Sequence, residues 1–76
     1  MTRNLIKSTI ANNLGTDQDD ISPEAEFQLD LNATPEEMQK IKIELERMLD
    51  IELPEFEENY PETVNDLYEM VDDALL

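Results

Sequence analysis

In three stretches of the chain the apolar residues step by three and four, the spacing that gathers them on one face of an α-helix. Leu5, Ile6, Ile10 and Leu14 carry the first stretch, flanked by Thr9 and Asn13, and predict a helix over residues 3–14. Gly15, the only glycine, follows where a helix commonly ends in a left-handed residue. Met38, Ile41, Leu45, Met48 and Leu49 carry the second stretch and predict a helix over residues 35–50. Its start, Thr34-Pro35-Glu36-Glu37, is the clearest local signal in the sequence. Thr34 can accept from the amide of Glu37 while the Glu37 carboxylate reaches back to the amide of Thr34. Pro35 takes the first helical position, where its missing N–H costs nothing. Val64, Leu67, Tyr68, Val71 and Leu75 carry the third stretch, with Thr63 as its N-cap.

The segments between are read from their breakers. Residues 16–34 make a long connection, charged and turn-like through Asp17-Gln18-Asp19-Asp20, with Ser22-Pro23 opening one short helical turn over 23–26. Phe27, Leu29 and Leu31 alternate with polar residues, but nothing else in the chain reads as a strand to pair with them. They are therefore expected to be loop side chains plugged into a helical core. Pro54 and Pro61 bracket a short third helix over residues 55–59, anchored by Phe56. The expected architecture is all-α. It is a single domain over residues 1–76, a four-helix bundle of three longer helices and one short one, with a long first loop. A loop of that length implies a function or packing of its own.

Charge narrows the range of partners. The formal net charge is −15, from 20 acids against 5 bases, and no base follows Arg47 while half of the acids lie between Asp50 and Asp73. Such a field repels nucleic acid and anionic membranes and steers the protein toward basic patches. The plainer reading of an acidic surface is solubility alone. No apolar run approaches the about 20 residues that a bilayer span needs. Met1-Thr2-Arg3-Asn4 leads directly into an amphipathic stretch, with no apolar leader. The expectation is a cytoplasmic monomer whose partner is a protein, with no nucleic acid and no membrane.

Candidate chemistry is thin. A chain of 76 residues has little room for an enclosed cavity of enzyme size. Cysteine is absent, and so is histidine, the usual general base and commonest metal ligand. Asp17-Gln18-Asp19-Asp20 begins like a calcium loop, but the positions that need glycine and a bidentate glutamate hold Ser22 and Gln28. No dedicated metal site is expected. The hydroxyls of Ser8, Thr9, Ser22 and Thr63 have no histidine to activate them. Met38, Met48 and Met70 sit at helical core spacing and are read as packing. The chain is not expected to be an enzyme.

Leu14-Gly15, the Phe27-x-x-Asp30-Leu31 run, Glu52-Leu53-Pro54 and Thr63-Val64 fall in the order and spacing of acyl carrier proteins. Over about residues 4–72 the chain resembles that family, on their joint spacing rather than on any one short match. The resemblance implies a carrier fold in which a serine opening helix two, within Asp-Ser-Leu and preceded by Leu-Gly-x, carries 4′-phosphopantetheine. In that register this chain reads Leu31-Asn32-Ala33-Thr34-Pro35-Glu36. Asn32 stands for the glycine, Thr34 for the aspartate, Pro35 for the serine and Glu36 for the leucine. Pro35 has no side-chain heteroatom and cannot form the phosphodiester. Thr34 lies one residue early and is expected to be occupied as the cap. No prosthetic group or other cofactor is therefore expected. Threonine before a helix and proline at its first position are what a stable N-terminus favours, which points to a maintained fold with another use.

In the family, partners dock at helix two and the end of the first loop. Glu36, Gln39, Lys40, Ile43 and Arg47 lie on that helix, off the Met38–Ile41–Leu45–Met48 stripe, and are the candidate partner-binding residues. Ile43 is the anchor: apolar, off the buried stripe, and flanked by charges that would form a polar rim. The competing reading packs Ile43 against the loop or the short third helix. Lys40, Lys42 and Arg47, three of the five bases, lie on this helix and weaken its appeal to partners that read an acidic helix two.

The expected function is that of an acyl carrier protein-like domain without a prosthetic group, which binds another protein, such as a synthase or acyltransferase-type enzyme. One alternative is a working carrier in fatty-acid, polyketide or related biosynthesis, modified at another residue or delivering non-covalent cargo. A second is an acidic mimic of nucleic acid, against which the retained carrier spacing argues. Treated with coenzyme A and a broad-specificity phosphopantetheinyl transferase, the intact protein should keep its mass. A stoichiometric phosphopantetheine adduct, above all one mapping to Thr34, would overturn the first reading.

Overall fold

A computed structural model describes residues 2–76 and orders them into three α-helices: α1 (Thr2–Leu14), α2 (Pro35–Leu49) and α3 (Val64–Leu75). The regular elements among the described residues are all helical, with one 3-10 turn (Gln18–Asp20) after α1. Ile6 and Ile10 of α1, Met38, Ile41 and Leu45 of α2, and Val64, Leu67 and Val71 of α3 meet in one apolar cluster.

Each helix end is closed by a specific device. The α1 helix stops at Gly15, whose φ of 67° is left-handed, and the Gly15 and Thr16 amides both donate to the Ala11 carbonyl at 2.9 and 3.2 Å. Both halves of the expected capping box at α2 are present. The Glu37 amide donates to Thr34 Oγ1 at 3.2 Å, and the Thr34 amide donates to Glu37 Oε1 at 3.0 Å. Its far end turns at Asp50, a non-glycine residue with φ 54°. Aspartate tolerates that region better than most side chains.

The start of α3 is built jointly by two parts of the chain. Thr63 and Asp66 form a second capping box, with the Asp66 amide donating to Thr63 Oγ1 at 3.1 Å. The two amides before it have no intrahelical acceptor. They donate instead to the first loop, Val64 to the Ala25 carbonyl at 3.0 Å and Asn65 to the Pro23 carbonyl at 2.9 Å. In return the Phe27 amide donates to the Glu62 carbonyl at 2.9 Å, and Glu26 and Thr63 form an isolated antiparallel bridge. This pairing holds Phe27 fully buried among the helices.

Four expectations need correction. Residues 23–26 do not form a helical turn. Pro23 and Glu24 make a tight turn closed by the Ala25 amide on the Ser22 carbonyl at 3.1 Å, and the helical turn lies earlier, at Gln18–Asp20. Leu29 is not plugged into the core; it is 75% exposed, because the turn over 27–30 carries it outward while Phe27 points in. Leu31 is half-buried and does pack against the core cluster, as expected. Residues 55–59 form a hydrogen-bonded turn rather than a helix. Glu58 and Asn59 both donate to the Glu55 carbonyl, at 3.2 and 3.0 Å, and the flanking prolines leave no length for more. Phe56 is nonetheless buried, as its anchoring role requires. Met48 and Leu75 extend their helices' apolar periodicity beyond the reach of the core and are exposed, so Met48 is not a packing residue.

Lys42 was not expected in the interior, yet it is only 5% exposed. Its ammonium lies 3.4 Å from Glu46 Oε1 and 3.4 Å from Glu55 Oε1. Glu46 Oε2 accepts the Leu53 amide at 2.8 Å, so the network ties α2 to the segment that follows it. A buried ammonium is tolerated when it is paired in this way. Removing the Thr63 hydroxyl takes away the N3 cap of α3 where the first loop is moored. Thr63→Ala should cost about 1 kcal/mol in chemical denaturation, the usual range for a lost cap. An unchanged midpoint would show that the loop carbonyls alone hold the helix start.

Candidate functional site

The exposed face of α2 follows from the phase of its buried one. With Met38, Ile41, Lys42 and Leu45 turned inward, Glu36, Gln39, Lys40, Ile43 and Arg47 all fall on the solvent side. They form one stripe running about 16 Å along the helix at 1.5 Å per residue. Ile43 is 51% exposed, which separates the two readings of this residue: it is outside the core. Among the described residues Lys40 and Arg47 have no ion pair, whereas Lys42 turns inward to Glu46 and Glu55. The stripe therefore presents an acid, an amide, a base, an isoleucine and a second base in succession.

Beside the start of α2 lies a cleft of about 320 Å³ lined by Pro35, Met38, Gln39, Phe56, Glu57, Tyr60 and Gln28. A smaller cleft of about 240 Å³ continues from it past Gln28 and Tyr60 to Glu26, Leu29 and Glu62. Gln39 belongs to both the stripe and the larger of these two clefts, so the two surfaces meet at that residue. Pro35, the first residue of α2, is exposed and forms part of the cleft wall. Its neighbour Thr34 is engaged on both sides by Glu37, through the amide and through Oγ1 at 3.2 Å. Burial pushes the Tyr60 phenol above its ordinary value of 10.0, with the Gln28 side chain opposing.

Sequence periodicity does not reveal Gln28, Leu29, Glu57 and Tyr60. They stand on turns, where neighbours in space have no fixed spacing in sequence. The one available signal was proline on either side of residues 55–60, which marks a turn but not the direction of its side chains. Among the described residues no three acidic side chains converge as a metal site would require. None of the described helices is long and apolar enough to cross a membrane.

A second cluster lies between α1 and α3. The Arg3 guanidinium sits over the Tyr68 ring, 4.7 Å from its centroid, and pairs with Asp72 at 3.2 Å. Tyr68 is buried, and its hydroxyl has no hydrogen-bond partner among the described residues. Burial raises its pKa above 10.0, and the Arg3 charge works against the shift. No protein-family model matches the sequence.

A buried hydroxyl without a partner costs more than its removal. Tyr68→Phe should therefore melt at the same temperature as the wild type or higher at neutral pH. Both tyrosines have folded-state pKa values raised above 10.0, so the stability they contribute is complete below that pH and lost as pH rises through the raised values. Melting temperature should fall above pH 10, and less steeply in Tyr68→Phe. A clear loss of stability in the variant at neutral pH would instead reveal a partner for the hydroxyl.

Proposed function

We propose that this chain is an acyl carrier protein-like domain that has given up the prosthetic group and acts by docking another protein on the exposed face of α2. The observation that carries the reading is Ile43, an exposed isoleucine midway along a stripe whose other members are polar or charged. Binding surfaces concentrate their energy in a few apolar anchors surrounded by polar groups that exclude water. Glu36, Gln39, Lys40 and Arg47 would supply that surround.

The backbone supports the carrier register at one telling position. Asn32, which stands where the resemblance expects glycine, has φ 52°. Glycine favours this left-handed region, and asparagine is among the side chains that best tolerate it. In the four-helix carrier fold proposed here, the turn at residues 55–59 takes the place of the short helix. Pro35 has no heteroatom to bear a phosphodiester, and the Thr34 hydroxyl is held in the capping box. Recognition without covalent cargo at this position is the use we propose. A partner of synthase or acyltransferase type fits that history, and the bases Lys40 and Arg47 would select a surface less basic than one suited to an acidic helix.

Ile43→Glu tests the reading. Its stability should stay within about 1 kcal/mol of the wild type, as for most exposed positions. Affinity capture from native cells should lose the partner retained by the wild type and by a Glu69→Lys control on α3. Retention of that partner by folded Ile43→Glu would remove the proposed anchor.

A further inference from the structure

The groove beside α2 has a character that the helix face does not. The larger of its two clefts has an apolar floor, Met38 and Phe56, and an aromatic wall, Tyr60. Its rim carries three carboxylates, Glu57 at the larger cleft and Glu26 and Glu62 at the smaller one. No lysine or arginine lines either part, and among the described residues none of the three carboxylates is in an ion pair. Leu29, largely exposed at the lip, extends the apolar floor outward.

We propose that this groove docks a cationic, amphipathic peptide segment of a partner protein. One leucine- or phenylalanine-sized side chain fills the Met38–Phe56 cleft, a second packs on Leu29 and Tyr60, and lysine or arginine groups pair with Glu26, Glu57 and Glu62. Charge decides the class of occupant. An acidic or phosphorylated ligand would meet three uncompensated carboxylates within a chain of net charge −15. A volume of about 320 Å³ has room for one large apolar side chain, and the laurate comparison below separates that occupant from an acyl chain. The inference does not depend on the Ile43 face, which is left intact in the test.

The probe is a fluorescently labelled helical peptide of lysine and leucine, compared with one of equal charge in which serine replaces leucine. Titrations at physiological ionic strength screen diffuse attraction beyond about 8 Å. The wild type should bind the leucine peptide at least about tenfold more tightly than the serine peptide. Glu57→Lys/Glu62→Lys should erase that preference, while Glu69→Lys/Asp73→Lys, of the same net charge, should keep it. Leu29→Ser, at a surface position that carries little fold stability, should weaken binding by about threefold and serves if the double variant does not fold. Amide shifts should centre on Gln28, Leu29, Gln39, Phe56 and Tyr60. Equal affinity for both peptides, or equal loss in both double variants, would reduce the groove to bulk polyanion attraction and overturn the proposal. So would shifts confined to Ile43 and Arg47, or the same groove shifts produced by laurate alone, which would assign the cleft to a single-chain lipid.

Discussion

The exchange of backbone hydrogen bonds between the first loop and the start of α3 is the constraint from which the rest of the fold follows. A helix start leaves amides without partners, and a buried start cannot leave them to water. In this chain Val64 and Asn65 donate to the Ala25 and Pro23 carbonyls, and the Phe27 amide completes the exchange with Glu62. A long loop with little regular structure of its own is thereby fixed at three points. Phe27 becomes a core residue as securely as any on a helix, and the turn that follows throws Leu29 to the surface. That same turn delivers Gln28 to the mouth of the groove, opposite Tyr60.

The other junction is ionic. Lys42 is drawn under the segment after α2 by Glu46 and Glu55, and Glu46 also holds the Leu53 amide. In a chain with 20 acids and 5 bases, placing one base in the interior makes the outer surface more acidic still. The bases on α2 that stay outside, Lys40 and Arg47, bracket Ile43. One helix thus presents two chemically different borders, a mixed stripe on its outer face and an acid-rimmed apolar groove at its side. Gln39 lies on the boundary between them.

The helices were legible in the sequence because their determinants are local. Apolar steps of three and four fix the buried face of α2 and, by exclusion, the exposed stripe from Glu36 to Arg47. Thr34 and Thr63 announce the starts of α2 and α3, and Gly15 the end of α1, through bonds that span three or four residues. The short third helix failed for a reason that is also local: between Pro54 and Pro61 there is length for one hydrogen-bonded turn and no more. The groove was not legible. Its lining comes from the first loop, from α2 and from the 55–60 turn, and no periodicity relates residues so far apart in sequence.

By itself, then, the sequence determined three helices, their caps, the polar stripe on α2 and the absence of a side-chain heteroatom at Pro35. These rest on side-chain identity and on contacts within one helical turn. Tertiary structure alone decided that Phe27 is core while Leu29 is surface, that Lys42 is buried, and that Gln28 and Tyr60 join two clefts into one groove. Each of those outcomes depends on which backbone amide finds which distant carbonyl or carboxylate, and such pairings are settled only when the whole chain closes on itself.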